Sequence, residues 1–325
     1  MGDKSIDNKD AKILRALDVN ARISLTEIGR KTRMSKEVVS YRMKNLIENG
    51  VLKQFYAYVD MARLGFEPLL LYVKCRTMAE NTEADIVNYM KSIDNTSAII
   101  KLIGHWDFLI ILWTKNMSDY RKIEDNFMKR FGSIIQRKTV AVTAKRIKFK
   151  HNFLYSSDDR DSITIGNRGN EKIDSIDLKI LAEISKNCRT PLSDIAKKVK
   201  LTSVAVKNRL KVLEKKGIIA GYSVKINTSF YGFSQYRVFL SISDPIIKEK
   251  LLGYLSFNQN IASTTEEIGE SDIICEIYVK NLKDMELLIR QIKTKFPGVI
   301  DQYIFPVYDY LFVRTLPNVV SDVVK

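Results

Sequence analysis

Residues 35–50 read SKEVVSYRMKNLIENG, and residues 202–217 read TSVAVKNRLKVLEKKG. Each stretch starts with a hydroxyl residue that suits a helix N-cap and ends with a glycine that suits a left-handed turn. In the first stretch Val39, Met43 and Leu46 recur at i, i+4 and i+7, which predicts an amphipathic helix with one buried stripe. The second stretch repeats this pattern, and polar and basic residues occupy the outer face of both.

Two shorter helices are predicted ahead of each stretch. In the first copy Asp7 is placed to cap the first helix and Ser24 to cap the second. In the second copy Thr190-Pro191 predicts the start of the second helix, with proline in its first position. Two short helices, a tight turn and a third helix with a polar face form a helix-turn-helix motif.

The two stretches belong to an internal duplication. The offset between them, 202 − 35 = 167 residues, also aligns Ile6–Leu14 with Ile173–Leu181 and continues to the glycines without a gap. Further along, Gly104–Asp107 aligns with Gly269–Asp272 at an offset of 165 (269 − 104). The repeated unit is therefore larger than the helix-turn-helix itself.

The second half of each unit has the pattern of short strands and helices. The segments Val51–Val59 and Ile218–Ile226 are interpreted as a wing and exit strand, and a β-α-β-β-α-β order follows, which is that of a ferredoxin-like domain. The predicted class is α+β, with two copies of a winged helix-turn-helix followed by a ferredoxin-like domain. In the first copy the segments are Pro68–Cys75, Thr82–Ser92, Ala98–Ile103, Phe108–Thr114, Ser118–Phe131 (capped by Ser118) and Ile134–Val142; in the second they are Gln235–Ser241, Ile246–Leu255, Ile261–Ile268, Asp272–Val279, Leu282–Phe296 and Val299–Phe305.

Five regions follow from these segments. Residues 156–171 are polar and charged with two glycines, which predicts a flexible linker between the copies. A four-stranded sheet with helices on one face leaves its other apolar face to be covered. We expect the two sheets to pack on each other as an intrachain pseudo-dimer, and further pairing of chains is compatible with this. The predicted regions are winged helix-turn-helix domains at 1–60 and 172–227, ferredoxin-like domains at 61–155 and 228–325, and the linker.

The charge balance points to nucleic acid as the partner. The chain has 53 lysine and arginine residues against 38 acidic ones, a formal net charge of +15, and such a surplus attracts polyanions. Helices 35–49 and 202–216 are expected to enter successive major grooves of double-stranded DNA. The candidate DNA-binding residues are Ser35, Lys36, Ser40, Tyr41, Arg42, Lys44, Asn45, Thr202, Ser203, Lys207, Asn208, Arg209 and Lys211.

These residues are expected to divide the work of recognition. Lys44 and Lys211 are assigned to the DNA backbone, whereas Ser40 and Lys207 are assigned to sequence preference. Arg42 and Arg209 are open to two interpretations, contact with phosphates or bracing of the fold. Because the two reading faces differ in sequence, we expect an asymmetric operator.

Several other classes of protein are not expected. The three cysteines are scattered and form no CxxC pair, which is typical of a protein in a reducing cytoplasm. Since only two histidines are present, we expect neither a metal nor a cofactor. Within the cytoplasm we expect the protein to lie at the nucleoid. No apolar run approaches the roughly 20 residues of a membrane-spanning helix.

The repeated pattern resembles one known family. Ile-Asp-x-x-Asp-x-x-Ile-Leu, Arg-x-x-Leu-x-x-Ile and Ser/Thr-x-x-x-Val-x-x-Arg-x-x-x-Leu occur in both copies and resemble the Lrp/AsnC (feast/famine) family. The resemblance covers nearly the whole chain and is most specific in the first fifty residues of each copy. It implies transcription regulation, two-fold assembly and often an amino-acid effector, whereas the fusion of two protomers departs from the family.

The resemblance also marks an effector site. In relatives a Gly-x-x-Asp turn lies beside the effector pocket at the subunit interface, which makes Gly104, Asp107, Gly269 and Asp272 candidates for binding an amino-acid-like effector. A simple β-hairpin turn is the alternative and favoured interpretation of the same residues, since such turns favour glycine and a polar residue.

Three rival functions are compatible with parts of the sequence. The three-helix units could serve protein contacts alone, or the chain could be an architectural DNA coat with weak sequence preference, which salt and competitor DNA would distinguish from a regulator. Siroheme decarboxylases share the scaffold as fused pairs and carry histidine- and arginine-rich segments around the third strand. The segment Ser97–Gly104 has no such cluster, and no nucleophile–base pair is evident, so we expect no enzyme activity.

Overall fold

The computed structural model describes residues 6–77, 80–155 and 161–323, and its elements repeat in the order of the duplicated sequence. The first copy contains α1 (Asn8–Val19), α2 (Leu25–Thr32), α3 (Lys36–Glu48), β1 (Leu52–Val59), β2 (Glu67–Cys75), α4 (Glu80–Ser92), β3 (Thr96–Leu102), β4 (Phe108–Thr114), α5 (Met117–Phe131) and β5 (Ile135–Phe149). Between the copies lie α6 (Asn152–Tyr155) and β6 (Ser162–Ile165). The second copy contains α7 (Ser175–Lys186), α8 (Leu192–Val199), α9 (Ser203–Lys215), β7 (Ile219–Ile226), β8 (Ser234–Ile242), α10 (Pro245–Ser256), β9 (Ile261–Ile268), β10 (Ile273–Val279), α11 (Leu282–Lys295) and β11 (Val299–Val313).

Side-chain caps fix where most of the helices begin. Asp7 accepts hydrogen bonds from backbone amides of the first turn of α1, and Ser24 accepts one from the amide of Glu27. Ser35 and Thr202 cap α3 and α9 in the same way, as their spacing predicts. Each cap supplies an acceptor to an amide that has no partner within the helix.

Two caps differ from the prediction. Helix α5 is capped by Asn116, two residues before the expected Ser118, because the Asn116 side chain accepts from the amide of Asp119. Helix α8 begins at Leu192, and Pro191 occupies the cap position without any side-chain cap hydrogen bond. The hydroxyl of Thr190 instead donates to the backbone oxygen of Asn187.

The expected wing and exit strand of each copy are a single strand that pairs with the other copy. Strands β1 and β7 form a two-stranded antiparallel ribbon, with Phe55 opposite Val224. The ribbon is extended on both sides by matching hydrogen bonds, from the amide of Ala21 to Tyr222 (3.4 Å) and from the amide of Cys188 to Phe55 (3.0 Å). Both helix-turn-helix units therefore share one hydrophobic core.

Two equivalent arginines cross between the units. The guanidinium of Arg189 donates to the backbone oxygens of Ala21 (2.7 Å) and Ile23 (2.8 Å), and that of Arg22 donates to the backbone oxygen of Cys188. Each arginine also lies over an aromatic ring of the ribbon. The reciprocal contacts fix the orientation of one unit relative to the other.

The remaining strands close into one ring instead of two sheets that only face each other. The order is β2-β4-β3-β11-β8-β10-β9-β5, and β5 returns to pair with β2. Within each copy the order of strands is that of a ferredoxin-like domain, but β5 and β11 are each 15 residues long. The first half of β5 pairs with β2 and its second half with β9, while β11 pairs first with β8 and then with β3. Both strands run beyond their predicted ends at Val142 and Phe305, and the added residues close the ring.

The interior of the ring is a core built by both copies. Tyr72 lies 5.6 Å from Phe239 between ring centroids, and Phe239 lies 4.8 Å from Phe305. One carboxyl group enters this core, because Glu267 is 2% exposed and accepts a hydrogen bond from the Tyr72 hydroxyl at 3.1 Å. Ser271 donates to the same carboxyl through its amide and its hydroxyl, both at 2.8 Å.

The segment expected to be a flexible linker contains an ordered strand. Residues 162–165 form β6, which pairs antiparallel with the end of β5. Farther on, the amide of Gly166 donates to the Asp60 carboxylate at 3.2 Å, which ties the segment to the first copy. Residues 156–160, the start of the expected linker, lie outside the described residues.

Replacing Glu267 by Gln is expected to change how stability depends on pH. Burial raises the pKa of the Glu267 carboxyl from 4.5 to about 7, so the folded chain retains a proton that the unfolded chain releases. This contribution to stability is complete below pH 4.5 and is lost as the pH rises through 7. The free energy of unfolding of Glu267→Gln relative to wild type should therefore increase by about 2–3 kcal/mol between pH 5 and pH 8 in urea titrations.

The matched control is Glu286→Gln, because the Glu286 side chain is 69% exposed on α11. Its pH profile should run parallel to that of the wild type. If the unfolding free energy of Glu267→Gln also follows that of the wild type across this pH range, the buried carboxyl is not protonated in the folded chain.

Candidate nucleic-acid interface

The outer faces of α3 and α9 carry most of the predicted DNA-binding residues. Val39, Met43 and Leu46 are buried beneath α3, and Val206, Leu210 and Leu213 beneath α9, so the opposite faces point away from the core. Asn45 is half-buried, and so are the two arginines discussed next. The exposed residues are Ser35, Lys36, Ser40, Tyr41, Lys44, Thr202, Ser203, Lys207, Asn208 and Lys211.

Arg42 and Arg209 brace their helix-turn-helix units in equivalent ways. Arg42 donates to Asp7 (3.2 Å) and Asp10 (2.9 Å) at the start of α1. The hydrogen bond to Asp10 is the main cause that raises the pKa of Arg42.

Arg209 donates to Asp174 (2.7 Å) and Asp177 (2.8 Å) at the start of α7. Both carboxylates lie at a helix N-terminus, where negative charge is favourable. The geometry thus favours the bracing interpretation of the two arginines.

A tight turn sets the angle between the second and third helix of each unit. Arg33 and Lys200 end α2 and α8 in the left-handed conformation, with φ of 58° and 55°. Such angles are uncommon outside glycine, yet both copies adopt them at equivalent positions. Gly29, within α2, packs closely against this turn, because a Cβ there would lie 2.6 Å from the backbone oxygen of Met34.

Two exposed residues in the first turn of the recognition helices were missed by the sequence analysis. Glu37 is exposed on α3, and Val204, at the equivalent position of α9, is 68% exposed. Residues at the start of such a helix meet base edges. A carboxylate accepts from the amino group of cytosine, and an apolar side chain contacts the thymine methyl. The offset of 167 would have identified this pair if exposed positions had been compared.

Glu37 is held as an anion. Hydrogen bonds from its own backbone amide and from Ser35 lower the pKa of its carboxyl. Since Val204 has no charge, the two recognition helices differ in charge and polarity at this position.

The turns predicted for an effector lie together at one end of the ring. Gly104 and Gly269 have φ of 120° and 141°, which only glycine adopts readily. The two turns touch, since the indole Nε1 of Trp106 donates to the Glu270 carboxylate at 2.8 Å. Gly269 is packed tightly, because a Cβ there would lie 2.9 Å from Ala141.

The two aspartates of these turns hold their hairpins. Asp107 accepts from the amide of Cys75 at 2.8 Å and from the ammonium of Lys74 at 2.7 Å. Asp272 accepts from the amide of Ile242 at 2.8 Å. Each carboxylate therefore already satisfies a backbone donor at the end of a neighbouring strand, as the hairpin interpretation requires.

The cysteines offer no reactive group. All three are free and buried, and burial raises the pKa of the thiols of Cys75, Cys188 and Cys275 to about 11, 12 and 12. Within the ranges that the structure describes, no three His, Cys, Asp or Glu side chains cluster as metal ligands. None of the helices in those ranges is long and apolar enough to cross a membrane.

Comparison with known proteins identifies both units. Residues 6–53 and 173–220 match the winged helix-turn-helix DNA-binding family. The transcriptional regulator LrpA of Pyrococcus horikoshii is 48% identical over 109 residues, which span 34% of the chain and 68% of that regulator. LrpA of Pyrococcus abyssi is 33% identical over 131 residues, which span 39% of the chain and 90% of that regulator.

One solved structure resembles the chain over nearly its full length. The siroheme decarboxylase NirDL superposes with a TM-score of 0.65 and 10% identity, over 97% of this chain and 98% of NirDL. At this level of identity the likeness concerns the fold alone. The relatives in sequence match one copy at a time, whereas this structure matches both copies together.

Replacing Arg209 by Met is expected to destabilise the second unit. The change removes two charge-assisted hydrogen bonds from a side chain that is 32% exposed, which typically costs about 1–2 kcal/mol of unfolding free energy. Urea denaturation followed by circular dichroism measures the difference. Lys211→Met is the matched control on the same helix and should stay within about 0.5 kcal/mol of wild type. Equal stability of the two variants would contradict the brace.

Proposed function

The chain belongs to the Lrp/AsnC family of helix-turn-helix transcription regulators, as a tandem duplication, and on this premise we propose that its two units read one DNA site as an intrachain pseudo-dimer. The observation that carries the proposal is the shared core of the two units. The β1–β7 ribbon and the reciprocal contacts of Arg22 and Arg189 hold α3 and α9 in one rigid arrangement. Recognition helices held in this way can enter two major grooves without a further assembly step.

The residues at the interface have different roles in this proposal. Glu37, Ser40, Val204 and Lys207 face base edges near the start of each helix. Arg42 and Arg209 keep the helices in place. The residues left for phosphates and for orienting the helices are Ser35, Lys36, Tyr41, Lys44, Asn45, Thr202, Ser203, Asn208 and Lys211.

An effector and further assembly belong to the same proposal. An amino-acid-like effector would bind beside the turns at Gly104–Asp107 and Gly269–Asp272, where the two loops differ in sequence, and chains would pair further through the outer surfaces of the ring. The protein would act at the nucleoid, in the cytoplasm. No catalytic step is part of the proposal, because the resemblance to a decarboxylase extends to the fold only.

Sequence-specific binding is tested by titrating the protein on its own upstream DNA and on a scrambled duplex. Specific regulators discriminate by about 10³-fold or more, and this advantage persists at near-physiological salt. We expect that ratio for the upstream DNA, together with an asymmetric preferred site. Equal affinities that both fall with salt would indicate an architectural coat instead. Absence of binding would exclude both functions.

Substitutions on the recognition helix should separate phosphate contacts from base contacts. Lys211→Gln is expected to weaken binding to all sequences alike and to reduce the salt slope by about 1, because one phosphate contact is lost. Lys207→Gln, one helical turn earlier on α9, is expected to change the selected sequence at the half-site that α9 reads. Fluorescence anisotropy over a salt series and selection from random duplexes measure the two effects. Identical behaviour of the two variants would show that α9 is not the reading helix.

A further inference from the structure

A large cavity lies between the helix-turn-helix units and the ring of strands. Its volume is about 730 Å³, and it is lined by β1 and β7 on one side and by strands of both copies on the other. Cavities that hold small molecules typically measure about 300–1,000 Å³. Neither Gly104 nor Gly269 lines the cavity, although Ile103, next to Gly104, does.

The charges that line this cavity are strongly unbalanced. Six side chains are cationic and two, Glu276 and Asp309, are acidic. A buried charge is unfavourable unless a partner of opposite charge lies beside it. The cationic residues are Lys53, Arg146, Lys148, Lys225, Arg237 and Arg314.

Glu276 cannot balance these cations alone. Its carboxylate already accepts from Arg146 (3.0 Å), Ser263 (2.8 Å) and Gln235. Burial opposes its ionisation, but Arg146 and Arg237 lower its pKa to about 2, so it is an anion at neutral pH. Lys53 and Lys225 are exposed to water, and Lys148 is also attracted by Asp18, which leaves the buried guanidinium groups of Arg146 and Arg237 to share this one carboxylate.

The second acidic group, Asp309, is no substitute. It follows the bulge at which β11 passes from β8 to β3, and its carboxylate accepts from the adjacent backbone amide of Tyr310. Asp309 is exposed, and its charge favours the protonated form of Lys225, which is exposed as well.

Arg237 is the strongest indication of a ligand. It lies opposite Glu276 in the pairing of β8 with β10 and is only 6% exposed. Its Nε is buried and has no hydrogen-bond partner within the described ranges, and the Nε of Arg146 is in the same condition. Buried donors are almost always paired, and an anion with oxygen acceptors would satisfy both guanidinium groups.

The rest of the lining suits an apolar body attached to that anion. Tyr56, Tyr58, Ile100 and Trp113 line the cavity together with other apolar side chains. Aromatic and aliphatic side chains with a few charged groups are the usual lining of a site for an organic molecule.

We infer that this cavity binds an organic anion, with carboxylate or phosphate oxygens on Arg237 and Arg146 and its apolar body against the aromatic lining. Lys148 places the site at a junction, since it extends from β5 of the ring and donates to Ser223 of β7 at 2.7 Å. A ligand there would contact the ring and the ribbon that carries both recognition helices. Binding itself is independent of the function proposed above, whereas any effect on DNA affinity rests on it.

Three probes test the chemistry of the ligand on the full chain. 1-Naphthoate and 1-naphthyl phosphate supply the two anions on one aromatic body, and 1-naphthylmethanol is the uncharged match. Calorimetric titration of the wild type should detect at least one of the two anions and bind it at least tenfold more tightly than the alcohol. Which anion binds better distinguishes a carboxylate ligand from a phosphate ligand. The inference would be overturned if neither anion bound, or if 1-naphthylmethanol bound as tightly as the anions.

A pair of variants locates the site. Arg237→Met should weaken anion binding at least tenfold, whereas the control Arg290→Met, on α11 and 65% exposed, should bind as the wild type does. Without added probe the Tm of Arg237→Met should stay close to that of wild type, because the lost attraction to Glu276 is offset by removal of a buried Nε donor that lacks an acceptor. Retained affinity would show that Arg237 does not bind the anion, and a chain that no longer folds would show that Arg237 has a structural role instead. Neither result depends on whether the protein binds DNA.

Discussion

The exchange of two long strands is the constraint on which the rest of the structure depends. β5 and β11 each start in the sheet of their own copy and finish in the sheet of the other. The groups of β5 that face β9 and those of β11 that face β3 find their partners only across this boundary, and unpaired groups there would be costly. Neither copy can therefore complete its sheet alone, and the aromatic interior of the ring exists only when both are present.

The positions of the recognition helices follow from the same exchange. The C-terminal end of β5 leads through β6 to the second helix-turn-helix unit. The two helix-turn-helix units therefore lie side by side and share the β1–β7 ribbon. The cavity lies where this ribbon meets the ring, so its charged lining is drawn from both copies. Lys148 connects the two layers through Ser223. The helix-turn-helix units and the cavity thus both contact the same strand ribbon.

What the sequence could predict was decided by local interactions. The caps at Ser24, Ser35 and Thr202 and the bounds of most strands follow from neighbouring residues, so spacing and periodicity identify them. The closure of the ring, the pairing of β1 with β7 and the ordered β6 depend on partners far along the chain, which no local pattern encodes. The role of Arg42 was left open for the same reason, because its partners Asp7 and Asp10 lie some thirty residues away. Arg237 could not be identified from the sequence either, because the burial of its side chain and the missing acceptor for its Nε appear only in the folded chain.

The contact between Trp106 and Glu270 has a consequence for how such a chain can change over time. At the offset of 165 the equivalent residues are Ser271 and His105, and Ser271 bonds to Glu267 instead of repeating the Trp106 contact. In an assembly of identical subunits one codon change alters both sides of a symmetric interface at once. Here a codon change alters one side only, so natural selection can refine one half while the other keeps its ancestral role.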